Sequence, residues 1–250
     1  DGQHINCLHG YSNEMDVSFM RDTITPLADD RQISLYIDKY DNDITSIAYE
    51  VRSLDGERLI ENAEIFNYKE KAEGISADII IKDLIDKNTE YEFVVILGTS
   101  SGKTIRYYTR IVQRSENYAG EEIRFALDFH EKTFDKEAAR ELARYLETDD
   151  TGDNTTYSYV NIHNSFAQIT WGDLEVERIS EPQIRVMEYF DETMRLKLSY
   201  YVNVLTEDGE RTCRIEEFYR VRYGTERIYL LDFERTMTEV FEMDIEKFNN

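Results

Sequence analysis

The sequence predicts two domains, an all-β sandwich over residues 31–115 and an α+β roll over residues 116–250, behind a polar lead-in of residues 1–30. Three observations predict this. In residues 32–112, β-branched and apolar residues recur in short runs of period two, separated by turn residues. Around residues 115–120 the period changes to 3.6, which marks the boundary. After residue 174 four long alternating segments follow one another, so that helices come first and an antiparallel meander after.

In the first domain, residues 32–38 put Ile33, Leu35 and Ile37 on one face, and a polar turn follows at residues 41–43. Residues 44–52 and 57–66 flank Ser53-Leu54-Asp55-Gly56, and Asp-Gly between two such runs predicts an antiparallel hairpin. Residues 78–82, 90–97 and 103–112 complete the sandwich. The segment at residues 98–104, Gly-Thr-Ser-Ser-Gly-Lys-Thr, ends like a phosphate-binding loop. Its glycine spacing is one residue short, and the β-branched, aromatic run after it reads as a strand where that loop needs a helix. A hairpin turn is the better reading, and Lys103 and Thr104 flank it.

In the second domain, residues 121–132 fit one helix. Phe134, Ala138, Leu142 and Leu146 predict another, with Thr133 as its N-cap. Residues 148–154 form a polar loop, and residues 162–171 fit a short helix or an irregular link equally. Strands are expected at residues 174–180, 183–190, 193–205 and 211–223, with a fifth at 227–233 and an Asp208-Gly209 turn between the third and fourth. Residues 235–248 read as an amphipathic helix with Met237, Val240 and Phe241 inward, or as a lead to a further segment.

Composition bounds the function. A chain of 250 residues is long enough for one large or two ordinary domains, and no apolar run approaches the ~20 residues needed to cross a bilayer. The formal charge of −23 is shared by two acidic halves; such a field repels phosphate backbones and anionic head groups. Nucleic acid and direct membrane contact by this segment are not expected. Cys7 and Cys213, far apart in sequence and in different predicted domains, are not expected to form a disulfide.

Residues 77–95 carry a resemblance. Leu84 in a connecting segment, then Thr89-Glu90-Tyr91 and an alternating strand, resemble the E-to-F passage of fibronectin type III domains. The resemblance implies an immunoglobulin/fibronectin III-like sandwich in which Leu84 plugs the bottom, while Tyr91 packs its ring inward and turns its hydroxyl back to the loop backbone. The Trp that this family carries on an early strand is missing, since the one Trp is Trp171. The family implies spacing and protein contact more often than catalysis. In element order the second domain is similar to the cone-shaped roll of the nuclear transport factor 2 superfamily.

Candidate chemistry is sparse. His130 lies two residues from Asp128 on a predicted helix, a separation that puts the two on different faces, so a surface or satisfied core role is expected. His163, between Asn161 and Asn164, reads the same way. His4, Cys7 and His9 make a trio without a fourth metal ligand, and the acidic loops at residues 41–43 and 149–154 lack the register of a calcium loop. Tyr107, Tyr108, Tyr200, Tyr201, Tyr219 and Tyr223 invite a sugar-stacking reading, but adjacent tyrosines face opposite ways and core positions explain most of them. Arg214, Arg220 and Arg222 share one strand face with Glu216 among them, either lining an anion-binding concavity or forming cross-strand ion pairs on a solvated face. No cofactor, metal or catalytic residue is expected.

As a whole the chain resembles the extracytoplasmic portion of uncharacterised membrane-anchored proteins of Gram-positive bacteria. Residues 13–16 and 20–27 would follow the anchor, and Asp1 in place of an initiator Met fits an excised or processed piece. The resemblance implies a cell-surface position and an acidic, non-enzymatic interaction or scaffold segment that binds protein or glycan. One alternative is a roll-type ligand-binding or enzymatic domain built on a His-carboxylate pair, with His130 or His163 and an acid from the sheet. Another is a spacer that orients a further C-terminal domain.

Overall fold

Alternation of side chains decides most of this chain. The structure, a computed structural model describing residues 4–40, 42–72, 74–82, 85–149, 151–206 and 209–240, is mostly β, with several sheets and few helices. Its residues gather into two compact units, 1–119 with 186–191 and 120–185 with 192–250.

The first unit holds β1 (Ile24–Leu27), β2 (Gln32–Asp38), β3 (Ile44–Ser53), β4 (Leu59–Glu64), β5 (Tyr68–Glu70), β6 (Gly74–Ile80), β7 (Glu90–Thr99) and β8 (Thr104–Gln113). They form two sheets, ordered β1-β8-β7-β3-β4 and β2-β6-β5. The inward residues of both sheets, Ile33, Ile75 and Ile79 from one and Val51, Phe93 and Ile111 from the other, build one core. Burying a side chain of this size stabilises the fold by about 1.5–3 kcal/mol. The segment at residues 98–104 is the β7–β8 hairpin: Gly98 pairs with Thr104, and the Gly102 amide donates to the Thr99 carbonyl at 2.9 Å. Gly102 takes φ +76°, which a side chain would strain. Tyr91 is buried, and its hydroxyl accepts a hydrogen bond from the Asp86 amide at 2.9 Å. Leu84 lies outside the described residues.

The expected lead-in is part of this unit. Asn6 is buried and donates to the Ile24 carbonyl at 2.9 Å, Val17 and Leu27 are buried, and β1 pairs in parallel with β8. Four residues containing Pro26 are too few to show a period, and a strand at the edge of its sheet tolerates the proline.

The second unit begins with α1 (Ala119–Thr133), whose first residue belongs to the first unit, and a 3-10 helix at Ala138–Tyr145. Then come β9 (Tyr159–Asn161), α2 (Phe166–Ile169), β10 (Glu175–Arg178), β11 (Gln183–Phe190), whose residues from Val186 on belong to the first unit, β12 (Thr193–Thr206), β13 (Gly209–Arg222) and β14 (Tyr229–Glu239). Its sheet runs β10-β12-β13-β14-β9, antiparallel at every step. Glu122, Ala126, Phe129, His130 and Thr133 form the buried stripe of α1, the spacing of one helical face. Phe129 meets the rings of Tyr219 at 5.7 Å and Phe233 at 5.2 Å, so this stripe packs on β13 and β14.

Three expectations are corrected here. Thr133 closes α1, with its hydroxyl donating to the His130 carbonyl at 2.8 Å. Asp135 does the capping instead, its carboxylate accepting the amides of Glu137 at 2.9 Å and Ala138 at 3.1 Å, and the segment it starts is a 3-10 helix where an α-helix was expected. Residues 235–239 continue β14 as strand, because Phe233 and Arg235 alternate inward; an arginine in a core position hides the period. Residues 241–248 and Asp208 lie outside the described residues.

Candidate functional site

Alternation along β12, β13 and β14 turns Tyr200, Glu217, Tyr219 and Arg235 toward α1, whose stripe brings His130 onto them. His130 Nδ1 lies 2.9 Å from Glu217 Oε2. Tyr219 donates to the same oxygen at 2.7 Å, and Tyr200 donates to Oε1 at 2.8 Å. Arg178, from β10, puts Nη1 at 3.0 Å from His130 Nε2. A guanidinium only donates, so Nε2 is the acceptor and the ring proton sits on Nδ1, facing Glu217.

The charges inside this cluster balance. Glu217 stands directly across the sheet from Arg235, and both are fully buried. Burial opposes ionisation of Glu217, but the hydrogen bond from His130, the charge of Arg235 and the Tyr219 hydroxyl outweigh it, so the carboxyl is held below its ordinary range. Burial, and then the Glu217 charge, push the phenols of Tyr200 and Tyr219 well above theirs. Arg235 lies 3.5 Å from the centroid of Trp171 and donates to the carbonyls of Ile169 and Gln168, both at 2.9 Å. Phe134 packs on Trp171 and on Tyr200, at 5.6 and 6.0 Å between ring centres. Aromatic rings and hydrogen bonds thus surround His130.

The expected separation of His130 from Asp128 holds: Asp128 is exposed and pairs with Lys132 at 2.7 Å. The acid that His130 meets is Glu217, eighty-seven residues on, which no local spacing could name. A general base needs a lone pair aimed at substrate, and both ring nitrogens of His130 are engaged. His163 is partnered elsewhere, with Nδ1 at 3.0 Å from the Glu147 carbonyl and 3.1 Å from Asp149. The carboxylates of its loop are used locally: Asp149 accepts from Thr151 and Asp153 from Thr155, bonds that hold both below the usual range. Among the described residues no group of three or more His, Cys, Asp or Glu is placed to hold a metal ion. Cys7 and Cys213 are free thiols, the first exposed and the second buried.

Arg214, Arg220 and Arg222 do share the outward face of β13. Arg214 is bound up with Glu216 at 2.6 Å, and Lys197 reaches the same carboxylate at 2.6 Å. Arg222 instead lies over Tyr229, with its Cζ 5.0 Å from the ring centroid, and Arg227 lies 4.5 Å from the same centroid. Sequence reasoning missed Arg227 and Tyr229, which come together through the β13–β14 connection. It also missed two buried carboxyls, Glu122 and Glu92, the latter without a hydrogen-bond partner among the described residues. Burial drives each up to about 8. The signal for Glu92 was a lone acid in the apolar run of β7, whose two faces are both buried.

In comparisons with known proteins, the chain matches no family model, and no curated protein matches it either.

Proposed function

We propose that the chain is a non-enzymatic interaction or scaffold segment of a larger cell-surface protein, held outside the membrane, in which a fibronectin III-like sandwich domain spaces and an α+β roll domain presents a binding face to protein or glycan. The single observation that carries this is the enclosure of His130 and Glu217 beneath α1, where both are fully buried and hydrogen-bonded to their neighbours. The sandwich assignment is supported by the two packed sheets of the first unit and by the Tyr91 hydroxyl bonded back to Asp86. The roll assignment is supported by α1 lying on an antiparallel meander. The His-carboxylate pair of the enzymatic alternative does exist as His130 and Glu217, and its enclosure favours a structural role for it.

Two measurements test this reading. The full-length protein in its own cells is probed with a membrane-impermeant biotin reagent, and the purified chain is screened against esters, glycosides, phosphate esters and peptides. Labelling on intact cells with only background turnover is expected. A chain shielded on intact cells, or turnover that His130→Ala abolishes while the fold persists, would overturn it.

A further inference from the structure

On the outward face of the second unit's sheet, most cations are neutralised at close range. Arg214 and Lys197 share Glu216, and Arg211 stands 3.3 Å from Glu239. Arg220, Arg222 and Arg227 are exposed and differ: among the described residues none of them has a carboxylate oxygen within the 4.0 Å of an ion pair. Asp232 stands across the sheet from Arg220, and Glu226 precedes Arg227, yet neither closes to a pair. Exposed arginines without such a pair also occur elsewhere, Arg140 and Arg144 among them, so the lack of close acids does not by itself single out these three.

Two of them are also held in place. Arg222 and Arg227 approach one ring, Tyr229, at 5.0 and 4.5 Å, so their charges lie within about 10 Å of each other, near one Debye length, and act on an approaching anion together. Two local features maintain this. The register shift between Arg220 and Val221 absorbs one residue of β14, so that Leu230 and Phe233 are both buried while Tyr229 stands opposite Arg222. Gly224 gives the ring its space, since a Cβ there would come within 2.7 Å of Tyr229 Cε2 and 2.8 Å of the Arg227 carbonyl.

We propose that Arg222 and Arg227, with Arg220 beside them, form a docking site for a short acidic peptide segment of a partner protein. It rests on the reading above, that the second unit acts through a surface. Carboxylates at alternate positions of an extended segment are about 7 Å apart, which matches two guanidiniums on one ring, and each guanidinium takes a carboxylate through two parallel hydrogen bonds. Charge selects the class of partner. A nucleic acid, an anionic membrane or a long polyanionic glycan must bring its remaining charge against an acidic protein, whereas a short segment meets only the cluster.

The test is fluorescence anisotropy of a rhodamine-labelled peptide of alternating Asp and Thr, titrated with the whole chain at low salt. Saturable binding is expected, weakened about tenfold or more by the double variant Arg222→Gln/Arg227→Gln and by no more than about twofold by Arg214→Gln. Gly224→Ala leaves the charge unchanged and displaces Tyr229 or Arg227, so a loss of about threefold or more is expected from pre-organisation alone. Circular dichroism melts establish that each variant is folded, and Arg227→Gln alone, outside any strand, serves if the double variant is not. Absence of saturable binding, equal binding by the arginine variants, or tighter binding of an oligonucleotide, anionic vesicles or a polyanionic glycan would overturn the proposal. If intact cells are labelled and the substrate screen stays at background while the peptide fails to bind, this docking site falls and the interaction reading stands.

Discussion

Glu217 is the residue on which the second unit's interior depends, because it accepts hydrogen bonds from His130, Tyr200 and Tyr219 and faces Arg235 across the sheet. Removing one member of a buried charge pair leaves the other uncompensated, so Glu217→Gln is expected to cost about 2–4 kcal/mol in urea unfolding. Its folded carboxyl is held low, so its stabilisation is present above the unfolded value near pH 4.3 and is lost as pH falls through the folded one. The gap between wild type and Glu217→Gln should therefore close on acidification. Glu92 works in the opposite sense. Burial raises it to about 8, so it folds protonated, and stability declines as pH rises from about 4.3 to about 8. Glu92→Gln is expected to stabilise the chain on the order of 2–4 kcal/mol at pH 8 and hardly at all at pH 4, read from urea midpoints. Neither residue was legible as a site in the sequence. Glu217 alternates with less buried residues like any strand acid, and its partners beyond Tyr219 come from α1, β12 and β14. What sequence did carry was the negative result that His130 and Asp128 face apart.

At the scale of elements, most long strands were legible and most short ones were not, with the eleven-residue β14 and the four-residue β10 as the exceptions. The segments that became β3, β7, β8, β12 and β13 run for ten or more residues, with period two plainest in β12 and β13, while β5 and β9 have three residues each and β1 has four. Three or four residues specify no face; their place comes from a neighbouring strand. The joint after α1 shows the same dependence. Thr133 and Asp135 are both good caps by type, and tertiary contact decides between them, since the buried Thr133 hydroxyl bonds back to His130 and Asp135 is left to receive the next amides. Asp135→Ala is expected to cost about 0.5–2 kcal/mol in thermal unfolding, whereas Thr133→Asn, placed at the buried end of α1, is expected to cost as much or more rather than improve a cap. An unchanged melting temperature for Asp135→Ala would return the capping role to Thr133.

For the whole molecule, the proposed reading is that an acidic chain whose His130–Glu217 pair is enclosed acts through its outer surfaces. Charge alone argued in the sequence for low affinity toward polyanions, and it could not disclose that Arg222 and Arg227 share the Tyr229 ring, because that depends on the bulge in β14 and the space at Gly224. The central claim is that ligands engage the outer sheet face around Arg222, Arg227 and Tyr229, while the interior around His130 is structural. Amide chemical-shift mapping of the isotope-labelled chain during titration with the acidic peptide tests this most directly. Shifts concentrated between residues 220 and 229 are the predicted result, and shifts concentrated at His130, Arg178 and Glu217 would contradict it.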